Sequence, residues 1–281
     1  ECDWSSDVCS SDLQLKVAAA EIARASRPLI LAGHGVLLAD ATAELVAFAE
    51  KTSIPVAWTL LGIGAIDETH PLAYGYVGMH GWKHVNKAVQ SADLIVAIGM
   101  RFDDRVTGNV RTFAPYARIV HADIDPAEIG KNRYADVPIV GDVREVLVDL
   151  ITTLRTEQEA GNTGDYEGWV AFCAGVKKKY PLGYDRPTDG GLAPQYVLER
   201  LGVISGPDTI YTAGVGQHQM WAAQFVRFNH PRLWLNSGGL GSMGFGLPSA
   251  IGAQFARPDK LVFAIVGDGG FQMSIPELAT R

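Results

Sequence analysis

Leu261-Val262-Phe263-Ala264-Ile265-Val266-Gly267-Asp268-Gly269-Gly270 is a run of six apolar residues that ends in a carboxylate set among glycines. An uninterrupted apolar run of this length reads as a strand buried on both faces, the signature of a parallel sheet covered by helices on either side. In open sheets of that kind ligands sit beyond the carboxyl ends of the strands, where glycines let backbone N–H groups approach a phosphate. A single Asp there can hold a hard cation that bridges phosphate oxygens. Taken alone, this Gly-Asp-Gly reads equally well as a turn capped by Asp268.

Working outward, the same alternation fills most of the chain. Helical spacing over residues 15–25 leads to the apolar run 28–32, which ends in Gly33-His34-Gly35. Helices are predicted over 41–51, 83–90 and 143–154, and strands over 54–58, 93–98, 118–122 and 138–140. Residues 156–190 lose the pattern, with glycines and prolines among charges and one short helix near 169–179. It resumes with helices over 192–201, 217–226 and 245–255 and strands over 209–212, 233–236 and 261–266. The expected fold class is α/β, with two successive parallel-sheet, doubly wound (Rossmann-like) domains, the second truncated. Residues 14–155 form the first domain, 156–190 a linker, and 191–281 the start of the second.

Residues 1–13 repeat Ser-Ser-Asp, lack a basic start and an apolar core, and carry Cys2 and Cys9. They are no signal peptide and are expected to be non-native. At the other end, Ser274 with Glu277 three residues on has the spacing of a capping box, which predicts a helix beginning there. That helix would be cut at Arg281, so the chain reads as the middle of a longer protein.

Composition removes several classes of function. The 281 residues carry 24 Lys and Arg against 31 Asp and Glu, a net charge of −7 with no basic block, which argues against a nucleic-acid surface. No apolar run approaches the ~18 residues of a membrane span. With 3 Cys and no CxxC pair, neither a disulfide scaffold nor a zinc site is expected, and the compartment is read as reducing and cytoplasmic.

Two further glycine-rich strand ends occur in the second domain: Gly214-Val215-Gly216-Gln217-His218-Gln219-Met220-Trp221, and Ser237-Gly238-Gly239-Leu240-Gly241-Ser242-Met243-Gly244. Gly239, Gly241 and Gly244 spell GxGxxG, but Asp259, about 20 residues on, precedes its strand, so the dinucleotide match is read as accidental. By itself His218 more often caps or packs a helix, and Met243 is more often a core methionine. Together the three loops resemble the diphosphate-binding domain of the thiamine diphosphate enzymes, specifically the acetolactate synthase (acetohydroxyacid synthase) family, over residues 14–281. The resemblance implies that Asp268 ligates Mg²⁺, that Gly267, Gly269 and Gly270 lie beside the cofactor diphosphate, and that Gly216 is a further cofactor contact. It also implies that Gln217 and His218 line the site, that the Gly241 carbonyl accepts a hydrogen bond from the aminopyrimidine, and that Met243 supports the cofactor in a bent conformation. Met243, Gly241 and Gln217 are thus the catalytic candidates. Only 13 residues follow Asp268, short of the asparagine with which the family completes its Mg²⁺ site.

In the first domain Gly78-Met79-His80-Gly81 and Arg101-Phe102-Asp103-Asp104-Arg105-Val106-Thr107-Gly108 resemble the FAD-binding central domain of the same family. On composition alone the second string reads as a solvated ion-pair cluster. The resemblance implies FAD contacts at Gly33, His34, Gly35, Thr59, Leu60, Met79, His80, Arg101, Asp103, Arg105, Val106, Asp123, Ile124, Asp142 and Val143, with FAD structural rather than redox-active. His80 and His84 have the i,i+4 spacing of metal ligands, but no carboxylate or cysteine supports a metal there.

The activity implied is decarboxylation of pyruvate and carboligation to a second 2-oxo acid, the first common step of branched-chain amino-acid synthesis. Partners would be further copies of the catalytic subunit, as a homodimer or tetramer, and a small regulatory subunit. The family's catalytic glutamate lies in an N-terminal domain that these residues do not resemble, so the chain as given is expected to be inactive alone. Alternatives are another thiamine diphosphate enzyme, of glyoxylate carboligase or pyruvate oxidase type, and a non-catalytic FAD-binding module.

Overall fold

The computed structural model describes residues 8–159, 161 and 164–280. It divides into two compact units, residues 8–65 with 70–181, and residues 66–69 with 182–280.

The first unit runs α1 (Val8–Arg24), β1 (Pro28–Ala32), α2 (His34–Leu38), α3 (Thr42–Thr52), β2 (Val56–Trp58), β3 (Ala73–Tyr76), α4 (Lys83–Ser91), β4 (Leu94–Ile98), α5 (Asp104–Thr107), β5 (Arg118–Asp123), β6 (Val137–Val140), α6 (Val143–Glu159) and α7 (Glu167–Lys179). The strands form one sheet in the order β3-β2-β1-β4-β5-β6, with every pairing parallel. This is the order of the dinucleotide-binding folds, and its direction reverses between β1 and β4, the place where such sheets open a crevice. Every residue of β1 to β4 is buried, which is why β1, β2 and β4 are unbroken apolar runs. The edge strand β6 instead alternates, with Val137 and Ile139 inward and Pro138 and Val140 outward.

The second unit runs α8 (Pro194–Ser205), β7 (Ile210–Ala213), α9 (Gln217–Phe225), β8 (Trp234–Asn236), α10 (Gly246–Ala256), β9 (Val262–Ile265) and α11 (Asp268–Ser274), followed by a 3-10 turn over Ile275–Thr280. Its three strands pair in parallel in the order β8-β7-β9. The direction of winding therefore reverses between β7 and β9.

The structure departs from the sequence reading in four places. Strand β3 carries no apolar period because Gly75 interrupts it, and the reason is packing: a Cβ on Gly75 would lie 2.7 Å from Cζ3 of Trp82. The stretch predicted as a linker from residue 156 is ordered into the first unit as far as Pro181. There α7 is anchored by the Trp169 indole, which donates to the Pro28 carbonyl at 2.7 Å, and by the Tyr166 hydroxyl, which donates to the Ile22 carbonyl. Ser274 is no N-cap, since it ends α11 and its hydroxyl donates to the Gly270 carbonyl at 2.9 Å. Finally, β9, whose apolar run predicts burial on both faces, is the edge of its sheet and part-exposed. Of the segment expected to be non-native, residues 8–13 lie in α1 and residues 1–7, Cys2 among them, lie outside the described residues.

Two buried histidines tie elements of the first unit together. His84 on α4 faces the carbonyls of Tyr74 and Tyr180 at 3.0 and 3.2 Å, so it has no role with His80 as a metal pair. His121 on β5 faces the Met100 carbonyl at 2.8 Å. Burial lowers the pKa of both from 6.5, against smaller opposing contributions from the hydrogen-bonded carbonyls. The unfolded chain therefore takes up protons that the folded chain refuses as pH falls below about 6.5, and stability present above that value is lost on acidification. The thermal midpoint is expected to be level near neutrality and to fall between about pH 6.5 and pH 5. Replacing both residues with Gln should flatten the decline, and an unchanged slope in that variant would contradict the assignment.

Candidate functional site

In each unit the predicted site residues lie at the carboxyl ends of the strands. In the second unit the three loops predicted to act together converge. Gly216, the N-cap of α9, has φ 152°, a conformation that L side chains rarely adopt. It opens the helix that places Gln217, exposed in the first turn, and His218 one residue later. The His218 ring lies against three glycine backbones: a Cβ on Gly214, Gly216 or Gly267 would lie 3.0–3.2 Å from ring atoms. Its Nε2 faces Gly214 without a well-formed hydrogen bond and is buried. Burial lowers the pKa of this imidazole, so it is held neutral near pH 7.

The loop after β8 is folded on itself, with the Gly241 N–H donating to the Ser237 carbonyl at 2.8 Å and the Ser242 N–H to Ser237 Oγ at 3.0 Å. It reaches the β7 loop through Gly241, which faces Val215, and the β9 loop through Met243, whose Cε would lie 2.7 Å from a Cβ on Gly269. Ser274 bridges the same loop to α11, its one hydroxyl proton shared between the Gly270 carbonyl at 2.9 Å and the Gly244 carbonyl at 3.2 Å. Met243 is 55% exposed, so it is an apolar side chain projected beside the glycines of α11 and no core methionine.

Behind these loops, the first residue of α10 fills the point where the winding reverses. A Cβ on Gly246 would sit 2.7 Å from the Gly214 nitrogen and 2.5 Å from Val266 Cγ1, and its carbonyl accepts from Thr212 Oγ1 at 2.7 Å.

Asp268 is the first residue of α11. Its carboxylate is exposed and pairs with no cation among the described residues, and no group of three potential metal ligands occurs among them. The donor set fits a hard cation held by one carboxylate and completed by phosphate oxygens and water, the usual habit of Mg²⁺. Gly267, Gly269 and Gly270 leave the helix N-terminus open to an anion.

In the first unit the residues predicted to contact FAD lie along the carboxyl edge of the sheet. Gly33 and Gly35 follow β1, Thr59 and Leu60 follow β2, and Met79 and His80 follow β3. Arg101 to Val106 follow β4, Ile124 follows Asp123 at the end of β5, and Asp142 and Val143 follow β6. The β1 and β4 loops touch through their backbones, with the Gly33 N–H donating to Ile98 and the Gly35 N–H to Gly99, each at 2.9 Å. The Met79 N–H donates to the Arg105 carbonyl at 2.7 Å, joining the β3 loop to α5.

Within this edge the side chains divide by role. Asp103 caps α5, accepting from the Arg105 and Val106 N–H groups at 3.1 Å. Asp142 and Asp123 accept from the backbones of Arg144 and Asp125. Val143 is buried, with a Cγ2 that would lie 3.0 Å from a Cβ on Gly99, whereas Ile124 is exposed. Arg101 and Arg105 are exposed, and His34 is at the surface. Asn86 was missing from the sequence reading: its amide accepts from the Gly78 N–H at 3.0 Å and donates to the Gly78 carbonyl at 2.8 Å. A polar side chain within the amphipathic pattern of α4 was the available signal.

Comparison with known proteins decides which family builds such a pair of sites. Residues 15–150 match the family described as "Thiamine pyrophosphate enzyme, central domain", and residues 214–281 match "Thiamine pyrophosphate enzyme, C-terminal TPP binding domain". The chain belongs to the thiamine pyrophosphate enzyme family. Within the family, it is 54% identical over 267 residues to an acetolactate synthase of Mycobacterium leprae, covering 95% of this chain and 43% of that protein. It is 55% identical over 267 residues to the acetolactate synthase large subunit of Corynebacterium glutamicum, covering 95% and 42%, and 46% identical over 271 residues to an acetolactate synthase of Arthrospira platensis, covering 95% and 46%. The chain thus spans less than half the length of these relatives.

The packing around Gly246 yields a direct test. Gly246→Ala is expected to destabilise the second unit by roughly 1–3 kcal/mol, the usual penalty of overpacking. Gly252→Ala, in the same helix with open space around it, should be neutral or stabilise by up to about 1 kcal/mol. Denaturant unfolding of the two variants measures the contrast, and equal effects would refute the close approach.

Proposed function

We propose that this chain forms the flavin-binding and thiamine-diphosphate-binding parts of an acetolactate synthase catalytic subunit. The observation that carries this reading is the convergence of Met243, the glycines of α11 and exposed Asp268 where the winding of the second sheet reverses.

Asp268 would hold Mg²⁺, with Gly216, Gly267, Gly269 and Gly270 beside a diphosphate. His218, kept neutral by burial, would line the diphosphate end as a donor or acceptor without adding charge. Gln217 stands at the rim. The Gly241 carbonyl and Met243 would hold the aromatic part of the cofactor, Met243 by apolar contact from below. When bound, thiamine diphosphate supplies the carbanion chemistry that decarboxylates pyruvate and joins the product to a second 2-oxo acid. What these residues contribute is orientation and charge compensation.

In the first unit, the reversal between β1 and β4 and the exposed guanidinium groups of Arg101 and Arg105 support FAD as a dinucleotide ligand, its diphosphate paired by arginine. A homodimer or tetramer of catalytic subunits, a small regulatory subunit and a cytoplasmic setting belong to the same reading. None of the described helices is long and apolar enough to cross a membrane.

Calorimetric titration with thiamine diphosphate tests the proposal. Binding should require Mg²⁺, and Asp268→Asn should weaken it at least tenfold while leaving the circular dichroism spectrum unchanged, since an exposed carboxylate contributes little to folding. Thiamine diphosphate binding that ignores both Mg²⁺ and the substitution would overturn the assignment, as would no binding at all.

A further inference from the structure

The loop that follows β4 is held at the carbonyls of the two residues on either side of Arg101. His121, with no exposed surface, donates from Nε2 to the Met100 carbonyl at 2.8 Å. Asn132 donates from Nδ2 to the Phe102 carbonyl at 2.8 Å. A third bond, from the Gly99 N–H to the Ala122 carbonyl at 2.8 Å, fixes the start of the loop. Met100 and Phe102 are both 3% exposed, and Phe102 packs edge-on against the His121 ring, with centroids 5.1 Å apart. With residues 100 and 102 turned inward, residue 101 is turned out, and Arg101 is exposed with a single long contact to Asp103 at 3.5 Å.

His121 is a costly choice for this position. Its Nδ1 is buried without a partner, a loss that an apolar residue of similar size would avoid. What imidazole supplies and leucine does not is the donor to the Met100 carbonyl. The same burial keeps the ring neutral, so Nε2 carries its proton in one tautomer and Nδ1 carries a lone pair.

We propose that His121 and Asn132 are positioning residues for the FAD site: by clamping the carbonyls on either side of Arg101 they present its guanidinium to the diphosphate of the flavin dinucleotide. Neither residue touches the ligand. Both act through the backbone of residues 100–102, so their effect on binding must vanish when Arg101 is gone. This inference rests on the flavin reading of the first unit.

The test is a double-mutant cycle read by flavin fluorescence during FAD titration, with circular dichroism as the check on folding. His121→Leu and Asn132→Leu should each raise the dissociation constant for FAD roughly tenfold when Arg101 is present, and less than about twofold in an Arg101→Ala background. His121→Gln, whose amide nitrogen can take the place of Nε2, should stay within about threefold of the native chain. Asn132 is at the surface, so its variant decides the matter if His121→Leu does not fold. Losses of equal size with and without Arg101, or no loss at all, would overturn the clamp while leaving the flavin reading intact. A native chain that binds no FAD would overturn both.

Discussion

Backbone meets backbone at the carboxyl ends of the parallel strands, and the rest of both sites depends on that approach. In the first unit Gly33 and Gly35 lie against Gly99, where a Cβ on Gly35 would be 2.6 Å from the Gly99 Cα. In the second unit Gly246 lies against Gly214 in the same manner. Side chains at these positions would drive the loops apart, and the points where the winding reverses would lose the N–H groups and helix termini that suit them to phosphate. The glycines therefore contribute by what they leave out, and the few charged or polarizable side chains nearby, Asp268 and Met243 in one unit and Arg101 and Arg105 in the other, are presented by loops they permit.

The two sites share this plan but differ in how their loops are held. In the second unit the loops hold one another: Met243 covers Gly269, Ser274 binds the Gly244 carbonyl, and the His218 ring fills the space between Gly214, Gly216 and Gly267. In the first unit the loops also touch through their backbones, and in addition they are held from beneath, by side chains that arrive from other strands and helices. Asn86 clasps Gly78, and His121 and Asn132 take the carbonyls beside Arg101. The loops of both sites are recognisable from their local sequence, whereas the side chains that support the first from a distance are not.

That difference explains what was legible. Strands β1 and β4 were readable because burial on both faces demands unbroken apolar runs, whereas β9 carries such a run although it is the edge of its sheet and part-exposed; the glycine loops after all three mark the sites. Strand β3 was not readable, because its place in the sheet depends on Trp82 lying over Gly75, a contact no period reveals. The helix α7 was readable as a helix but not as part of the first unit, since its anchors, Trp169 to Pro28 and Tyr166 to Ile22, span more than a hundred residues. Ser274 shows the opposite failure: its spacing to Glu277 satisfies a local capping rule, yet tertiary contact with the β8 loop places it at the end of α11. His121 and Asn132 bear on the first site only through carbonyls 21 and 30 residues from them in sequence, so the string of residues around each carries little signal, and Asn86, eight residues from Gly78, acts through backbone groups that no side-chain pattern marks.

The central claim is that thiamine diphosphate lies over the reversal point between β7 and β9, against the three glycine loops. Hydrogen exchange of backbone amides, measured with and without thiamine diphosphate and Mg²⁺, tests it most directly. The account predicts protection confined to residues 214–218, 241–244 and 267–271. Protection centred on the opposite ends of the strands, or on the first unit alone, would contradict it.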